Sequence, residues 1–423
     1  MNAFAVLFLC ALLLGLATRL ALIRRQIRHV RAHRDAVPAA FAATIPLASH
    51  QRAADYTAAR APLAAGEAIA GVLFVLALTF GGGLQAVHAA WGEVLPAGSV
   101  AHGVALLATL GVLGWALDLP FVLARTFGVE KKFGFNRITP RLFIADTVRE
   151  AALAAAIGLP LLAVLLWSIG LAGERWWLWA WALWLGINVL VMLVWPTFIA
   201  PLFNTFTPLA DAALKARVEA LLTRCGFRSS GLFVMDGSRR SAHGNAYFTG
   251  LGAAKRIVFF DTLLDKLDAD EIEAVLAHEL GHFHHRHLLR RLTVLAPASL
   301  AVLAMLGWLA AQPGFFSALG MQAQDGASAL ALFFLILPAF TFPLAPLLSH
   351  WSRTHEFQAD AYAARQSSAT ALASALVKLY RDNAATLTPD PLYSRFFDSH
   401  PPAAVRIGRL LSPHARLPRT RFE

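Results

Sequence analysis

Seven apolar stretches, each close to the length that crosses a bilayer, constrain this chain more than any other feature: about 3–23, 65–84, 104–123, 151–171, 176–199, 292–311 and 328–348. In hydrocarbon every backbone N–H and C=O must be paired within its own segment, so each stretch is expected to be a helix. Pro338, Pro343 and Pro346 interrupt the last one, which reads as a kinked span or a segment lining an internal cavity. A chain of 423 residues that is 57% hydrophobic and 15% charged is not an ordinary soluble enzyme, and we read it as a polytopic membrane protein.

Loop charges give an orientation. Arg24, Arg25, Arg28, Arg31 and Arg34 follow the first span, and Arg125, Lys131, Lys132, Arg137, Arg141 and Arg149 follow the third, whereas 85–102 and 313–326 hold no Lys or Arg. Odd-numbered spans are therefore expected to exit into the cytoplasm, with the N-terminus outside. The first span has no positive segment before it and reads as a retained anchor, not a cleaved signal. The net charge of +11 fits cytoplasmic loops meeting anionic lipid and calls for no nucleic acid. Cys10 and Cys225 fall in different regions, so no disulfide framework is implied.

By this count 201–290 and the C-terminal segment share the cytoplasmic side. The first of these reads as a small mixed domain: a helix near 211–225, strands at 232–235, 246–249 and 256–260, then a helix over about 271–289 opened by Asp270 with Glu273. That helix carries His278-Glu279-Leu280-Gly281-His282. Histidines four apart share a helical face, and a carboxylate beside the first can reach a metal-bound water, which is the working end of a zinc peptidase. The alternative is a solvated, histidine-rich helix end.

A catalytic zinc takes three protein ligands and keeps a fourth position open. His285 lies on the same face, but a continuous helix carries it a turn too far, and the H-E-x-x-H-x-x-G-x-x-H pattern fails, with His285 and Leu288 at its last two fixed positions. Glu356-Phe357-Gln358-Ala359-Asp360 is the better source. Its two carboxylates share one face, so Glu356 can ligate while Asp360 holds the outer nitrogen of a ligating histidine. An ordinary acidic patch balanced by Arg353 and Arg365 is the plain reading of the same residues. Asn245-Ala246-Tyr247-Phe248 is the candidate edge strand on which an extended peptide could add.

These segments together resemble the integral-membrane type I CAAX prenyl endoproteases, zinc metalloproteases that process prenylated proteins and the yeast a-factor precursor. The resemblance also rests on Gly134-Phe135-Asn136, Asp146-Thr147, Pro201-Leu202-Phe203-Asn204, Phe206-Thr207-Pro208-Leu209, Lys255-Arg256-Ile257-Val258, Phe260-Asp261-Thr262-Leu263 and Ser399-His400-Pro401-Pro402, and it spans roughly 128–411. It implies that His278, His282 and Glu356 bind one Zn2+ and that Glu279 activates water. Asp360 matches the family's acidic residue after the third ligand, sometimes described as a proton donor. Asn245 and His400 match groups near the scissile peptide, and Arg406 a basic residue after His-Pro-Pro. Phe283 and His355 depart from the family's usual aromatics without removing a catalytic group.

The implied fold class is an all-α polytopic membrane protein of about seven transmembrane helices enclosing a chamber, with a small α+β gluzincin-like zinc-protease domain on the cytoplasmic side. The expected divisions are 1–200 (five spans), 201–290 (metalloprotease core), 291–350 (spans six and seven) and 351–423 (C-terminal helices with the third ligand). The Ala, Leu and Arg bias points to a bacterial inner membrane. Expected partners are the lipid bilayer and a peptide or membrane-anchored protein substrate, whose prenylation the sequence leaves open. A quality-control protease of the heat-shock-induced membrane type is the enzyme alternative, with fewer spans and no His-Pro-Pro segment. A non-catalytic channel, transporter or scaffold predicts internal repeats and charges within spans; no repeat is evident, and Asp118 is the one acidic residue well inside a span.

Overall fold

The computed structural model describes residues 2–244, 246–249 and 256–412. In chain order the helices are α1 (Ala3–Ala32), α2 (Leu47–Leu78), α3 (Gly83–Gly92), α4 (Val100–Leu123), α5 (Pro140–Leu153), α6 (Leu159–Ala172), α7 (Trp176–Val194) and α8 (Ala200–Phe203). They continue as α9 (Ala212–Arg224), α10 (Asp261–Leu264), α11 (Ala269–His284), α12 (His287–Ala310), α13 (Pro313–Ala318), α14 (Gly326–Thr341), α15 (Ala345–Gln366), α16 (Ala369–Asp382), α17 (Pro391–Phe397) and α18 (Ala403–Leu411).

Six helical runs among the described residues are long and apolar enough to cross a membrane. One of them, Pro140–Leu202, folds back at Gly173 (φ +55°) so that α6 packs on α7, which gives seven crossings. The second crossing ends at Leu78 instead of continuing to Leu84, because Gly81, Gly82 and Gly83 break the helix, with Gly82 at φ +72°. Only 6% of the most apolar part of Pro140–Leu202 is buried, against 33% in Gly326–Gln366, so the former packs on α4 and α12 along one side and leaves most of its surface exposed. The membrane end of α1 is tied to the C-terminal region: Arg25 pairs with Asp390 at 3.0 Å and the Gln26 side chain accepts from the Asp390 N–H.

Four strands, β1 (Phe206–Pro208), β2 (Leu232–Met235), β3 (Ala246–Thr249) and β4 (Arg256–Phe260), form a sheet of order β1-β2-β4-β3. β2 and β4 are parallel; β1 and β3 run antiparallel to their neighbours. The three anticipated strands lie where expected, and β3 is an edge. β1 was not anticipated; it carries Pro208, which an edge strand tolerates because no ladder donor is needed on its outer side. Leu232, Ile257 and Phe259 join residues of α9, α11, α16 and α18 in one buried core.

Two local expectations are corrected. The N-cap of α11 is Asp268, whose carboxylate accepts from the Glu271 N–H at 3.0 Å while Glu271 accepts from the Asp268 N–H at 3.0 Å. Asp270 and Glu273 satisfy the same spacing, but Arg217 binds both and Arg224 reaches Glu273 at 2.8 Å, so α9 takes them out of the contest. The helix also stops at His284, not near Leu289, because Arg286 adopts a left-handed conformation (φ 52°, ψ 40°) and α12 starts afresh at His287.

α11 and α15 cross where Gly281 meets Ala359. A Cβ on Gly281 comes within 2.8 Å of the Ala359 Cα and 3.1 Å of its carbonyl oxygen, so only glycine permits this approach. Gly281→Ala is expected to cost about 1–3 kcal/mol through overpacking, read as a lowered denaturation midpoint of the purified protein. A wild-type midpoint argues against so tight a crossing.

Candidate metal centre

α11 presents His278 and His282 one turn apart, with their Nε2 atoms 3.2 Å from each other. Glu356 enters from α15: its Oε2 lies 3.5 Å from His278 Nε2 and its Oε1 3.5 Å from His282 Nε2. One ligand-capable atom of each side chain lies within 4.8 Å of the other two. The chain thus brings together the two segments that the sequence placed on either side of two membrane crossings.

The surroundings set the tautomer of both rings. His278 Nδ1 lies 2.9 Å from Asp360 Oδ1; an ionised carboxylate only accepts, so Nδ1 carries hydrogen and Nε2 keeps a lone pair when the ring is neutral. Asp360 is fixed in turn by buried Arg406, whose Nη2 and Nε reach its two oxygens at 2.6 and 2.9 Å. His282 Nδ1 lies 3.0 Å from His287 Nδ1, and His287 Nε2 lies 2.8 Å from Gln358 Oε1. The amide oxygen accepts, so His287 donates from Nε2, accepts at Nδ1 from His282, and leaves His282 Nε2 with its lone pair. Two imidazole lone pairs and a carboxylate therefore converge on one point.

Such a convergence needs positive charge. Glu356 Oε2 is buried without a hydrogen-bond partner, and Arg406 Nη1 stays 3.6 Å away. Burial disfavours charge on either ring. The carboxylates of Asp360 and Glu356 outweigh it at His278, whose pKa is held up at about 9, while His282, beside His278, is pushed down to about 3. One proton is all the pair accommodates, and a divalent cation at that point satisfies every donor at once. The donor set, nitrogen, nitrogen and carboxylate, suits zinc and leaves a fourth position for water.

Glu279, next to His278, is half-buried, and burial pushes its carboxyl above the ordinary range, with His278 acting the other way. His400 stands at the rim, its side chain 63% exposed and its Nε2 3.5 Å from Glu356 Oε1. Asn245 lies outside the described residues. His285, set aside as a ligand from the sequence, caps the C-terminus of α11 and is no part of the three-atom cluster.

The roles of four residues escaped the sequence reading. His287 and Gln358 orient His282, and His355 stacks on His287 at 4.0 Å. A spacing of five places His287 off the face of His282 on a single helix; the Arg286 break brings it back. The fourth is Arg240, which binds Asp146 on α5 at 2.9 Å and Asn204 at 2.9 Å. With Phe135 stacked on His243 at 4.5 Å, these contacts fasten the segment leading into β3 to the membrane helices. They also give Phe135, Asp146 and Asn204, noted in the sequence only for their resemblance, a structural task.

Comparison with known proteins agrees with this geometry. The family model described as CAAX prenyl protease N-terminal, five membrane helices, matches residues 26–205, and that of peptidase family M48 matches 208–414. CAAX prenyl protease 1 of Saccharomyces cerevisiae is 36% identical over 329 residues, covering 74% of this chain and 72% of the yeast protein. The Arabidopsis thaliana homologue is 37% identical over 321 residues, 74% of each chain. The crystal structure of S. mikatae Ste24p superimposes with a TM-score of 0.90 at 30% identity, covering 97% of this chain and 100% of that one. Its likeness extends over the ring of membrane helices and the chamber they enclose.

Arg406→Ala and His287→Ala each remove the support of one ligating imidazole while sparing all three ligands. Each is expected to weaken metal binding about 10–100-fold, measured by competition with a chelator; wild-type affinity in both variants contradicts the tautomer assignment.

Proposed function

The chain belongs to peptidase family M48 and is an integral-membrane metalloendopeptidase, and from that premise we propose that His278, His282 and Glu356 hold one zinc ion at which Glu279 serves as general base. The single observation that carries this reading is the convergence of both Nε2 lone pairs and an otherwise orphaned Glu356 oxygen on one point. When bound, the ion supplies Lewis acidity to the scissile carbonyl and acidifies water. Glu279 accepts a proton from that water at its carboxylate and later delivers it to the leaving amine; a carboxyl raised by burial suits both halves of this transfer.

Asp360, held by Arg406, keeps His278 in its ligating tautomer; this geometry favours a positioning role for Asp360 over proton donation, since both its oxygens are engaged by Arg406. His400, exposed at the rim beside Glu356, donates to the developing oxyanion, and Asn245 is assigned to the substrate on the family resemblance alone. β3, the outermost strand of the sheet among the described residues, is where an extended peptide adds.

Substrates are peptides or membrane-anchored proteins taken from the chamber side. The relatives' designation as CAAX prenyl proteases supports capability toward prenylated peptides. Loop charge supports a site facing the cytoplasm, in a bacterial inner membrane by composition. The division at 1–200, 201–290, 291–350 and 351–423 follows the same reading.

Glu279→Gln is expected to retain metal and lose peptide hydrolysis by at least about 100-fold, whereas Glu356→Ala loses the metal itself. Metal analysis beside a peptide-cleavage assay separates the two, and wild-type-like turnover by the Glu279 variant refutes the base assignment. Cleavage of farnesylated and unmodified versions of one peptide by the wild-type protein tests the substrate: equal rates on both remove prenyl recognition from the proposal.

A further inference from the structure

Far from Glu356, at the other end of the membrane helices, three side chains with no part in the reaction converge. His88 comes from α3, His102 from the first turn of α4, and Asp325 caps α14; one ligand-capable atom of each lies within 4.8 Å of the others. Asp325 and Glu356 stand near opposite ends of the α14–α15 run, so at about 1.5 Å per residue they are separated by up to roughly 45 Å.

His102 is 0% exposed and His88 8%. His102 Nε2 lies 3.0 Å from the His88 backbone carbonyl, which can only accept, so Nε2 carries the hydrogen and Nδ1 is a bare lone pair. That Nδ1 is buried and has no partner. An imidazole that donates one nitrogen to a backbone carbonyl and keeps the other free is the arrangement found at metal-bound histidines. Asp325 divides its carboxylate: Oδ1 accepts from the Ser328 N–H at 2.7 Å, and Oδ2 lies 2.8 Å from His88 Nε2.

The backbone around these residues is built for close approach. A Cβ on Gly103 meets Leu166 at 2.8 Å and Ala327 at 2.9 Å, and one on Gly326 meets Ile169 at 2.8 Å, so α4, α6 and α14 touch beside His102 and Asp325. A cavity of about 110 Å³ bordered by Ser99, His102 and Asp325 leaves room for water to complete a coordination shell.

We propose that His88, His102 and Asp325 bind a second divalent transition ion of the zinc class, which pins α3, α4 and α14 together at the membrane face opposite the catalytic centre. Two imidazoles and one carboxylate are the donors such an ion prefers, and water from the cavity fills the remaining position. The ion is structural: its ligands come from helix ends that must stay registered for the ring to close.

Full-length protein in detergent carrying His278→Ala and Glu356→Ala, which disables the catalytic centre, is titrated with Co2+ and followed by its visible absorption. The expected result is saturable binding of one equivalent, weakened at least about tenfold by adding His102→Gln or Asp325→Asn. Asparagine still caps a helix, so Asp325→Asn spares the fold that a harsher change could damage. Absence of saturable binding in the disabled protein overturns the proposal, as does binding that neither added substitution changes, since the ion then sits among other histidines. Failure of the catalytic reading leaves these outcomes untouched.

Discussion

The approach of α11 to α15 at Gly281 and Ala359 is the constraint on which the active centre depends. Candidate ligands on one helix can be placed by periodicity alone, as His278 and His282 are. The proposed third ligand, Glu356, comes from a helix reached only after two further crossings of the bilayer, and its carboxylate arrives 3.5 Å from both rings. A glycine at the contact removes the side chain that would keep the backbones apart, and the core of Leu276, Ala277, Leu280 and Ala363 around it fixes the register.

Around that crossing the protein builds two independent lines of support. One runs from Arg406 on α18 through Asp360 to His278; the other runs from Gln358 through His287 to His282. Both lines pass through α15, which carries Asp360 in the first and Gln358 in the second, so the helix bearing Glu356 also disciplines the partners of both histidines. The charge balance is local: a guanidinium compensates the carboxylate that a cation alone does not neutralise, which makes a densely ionised pocket tolerable at little exposure.

Much of this was legible in the sequence, for reasons that can be named. Strands β2, β3 and β4 announced themselves by apolar runs between Gly and charged residues, and the spans by length. His278, His282, Glu356, Asp360, His400 and Arg406 could be singled out, and the fold gathers all six. What stayed hidden depends on which of two equivalent local options tertiary structure selects. Asp268 and Asp270 each precede a Glu at capping-box spacing, and only the arginines of α9 decide between them. Arg286 in a left-handed conformation has no signature, since arginine is seldom found there, yet it ends α11 and returns His287 to the centre. β1 was missed because three residues with a proline carry no pattern.

The late position of Arg406 has a further consequence for biosynthesis. Translation delivers the histidine pair first, the glutamate well afterwards, and the guanidinium that steadies them only near the close of the described fold. Until α18 packs, His278 therefore lacks the carboxylate support that Arg406 secures, and the cluster reaches its full order last.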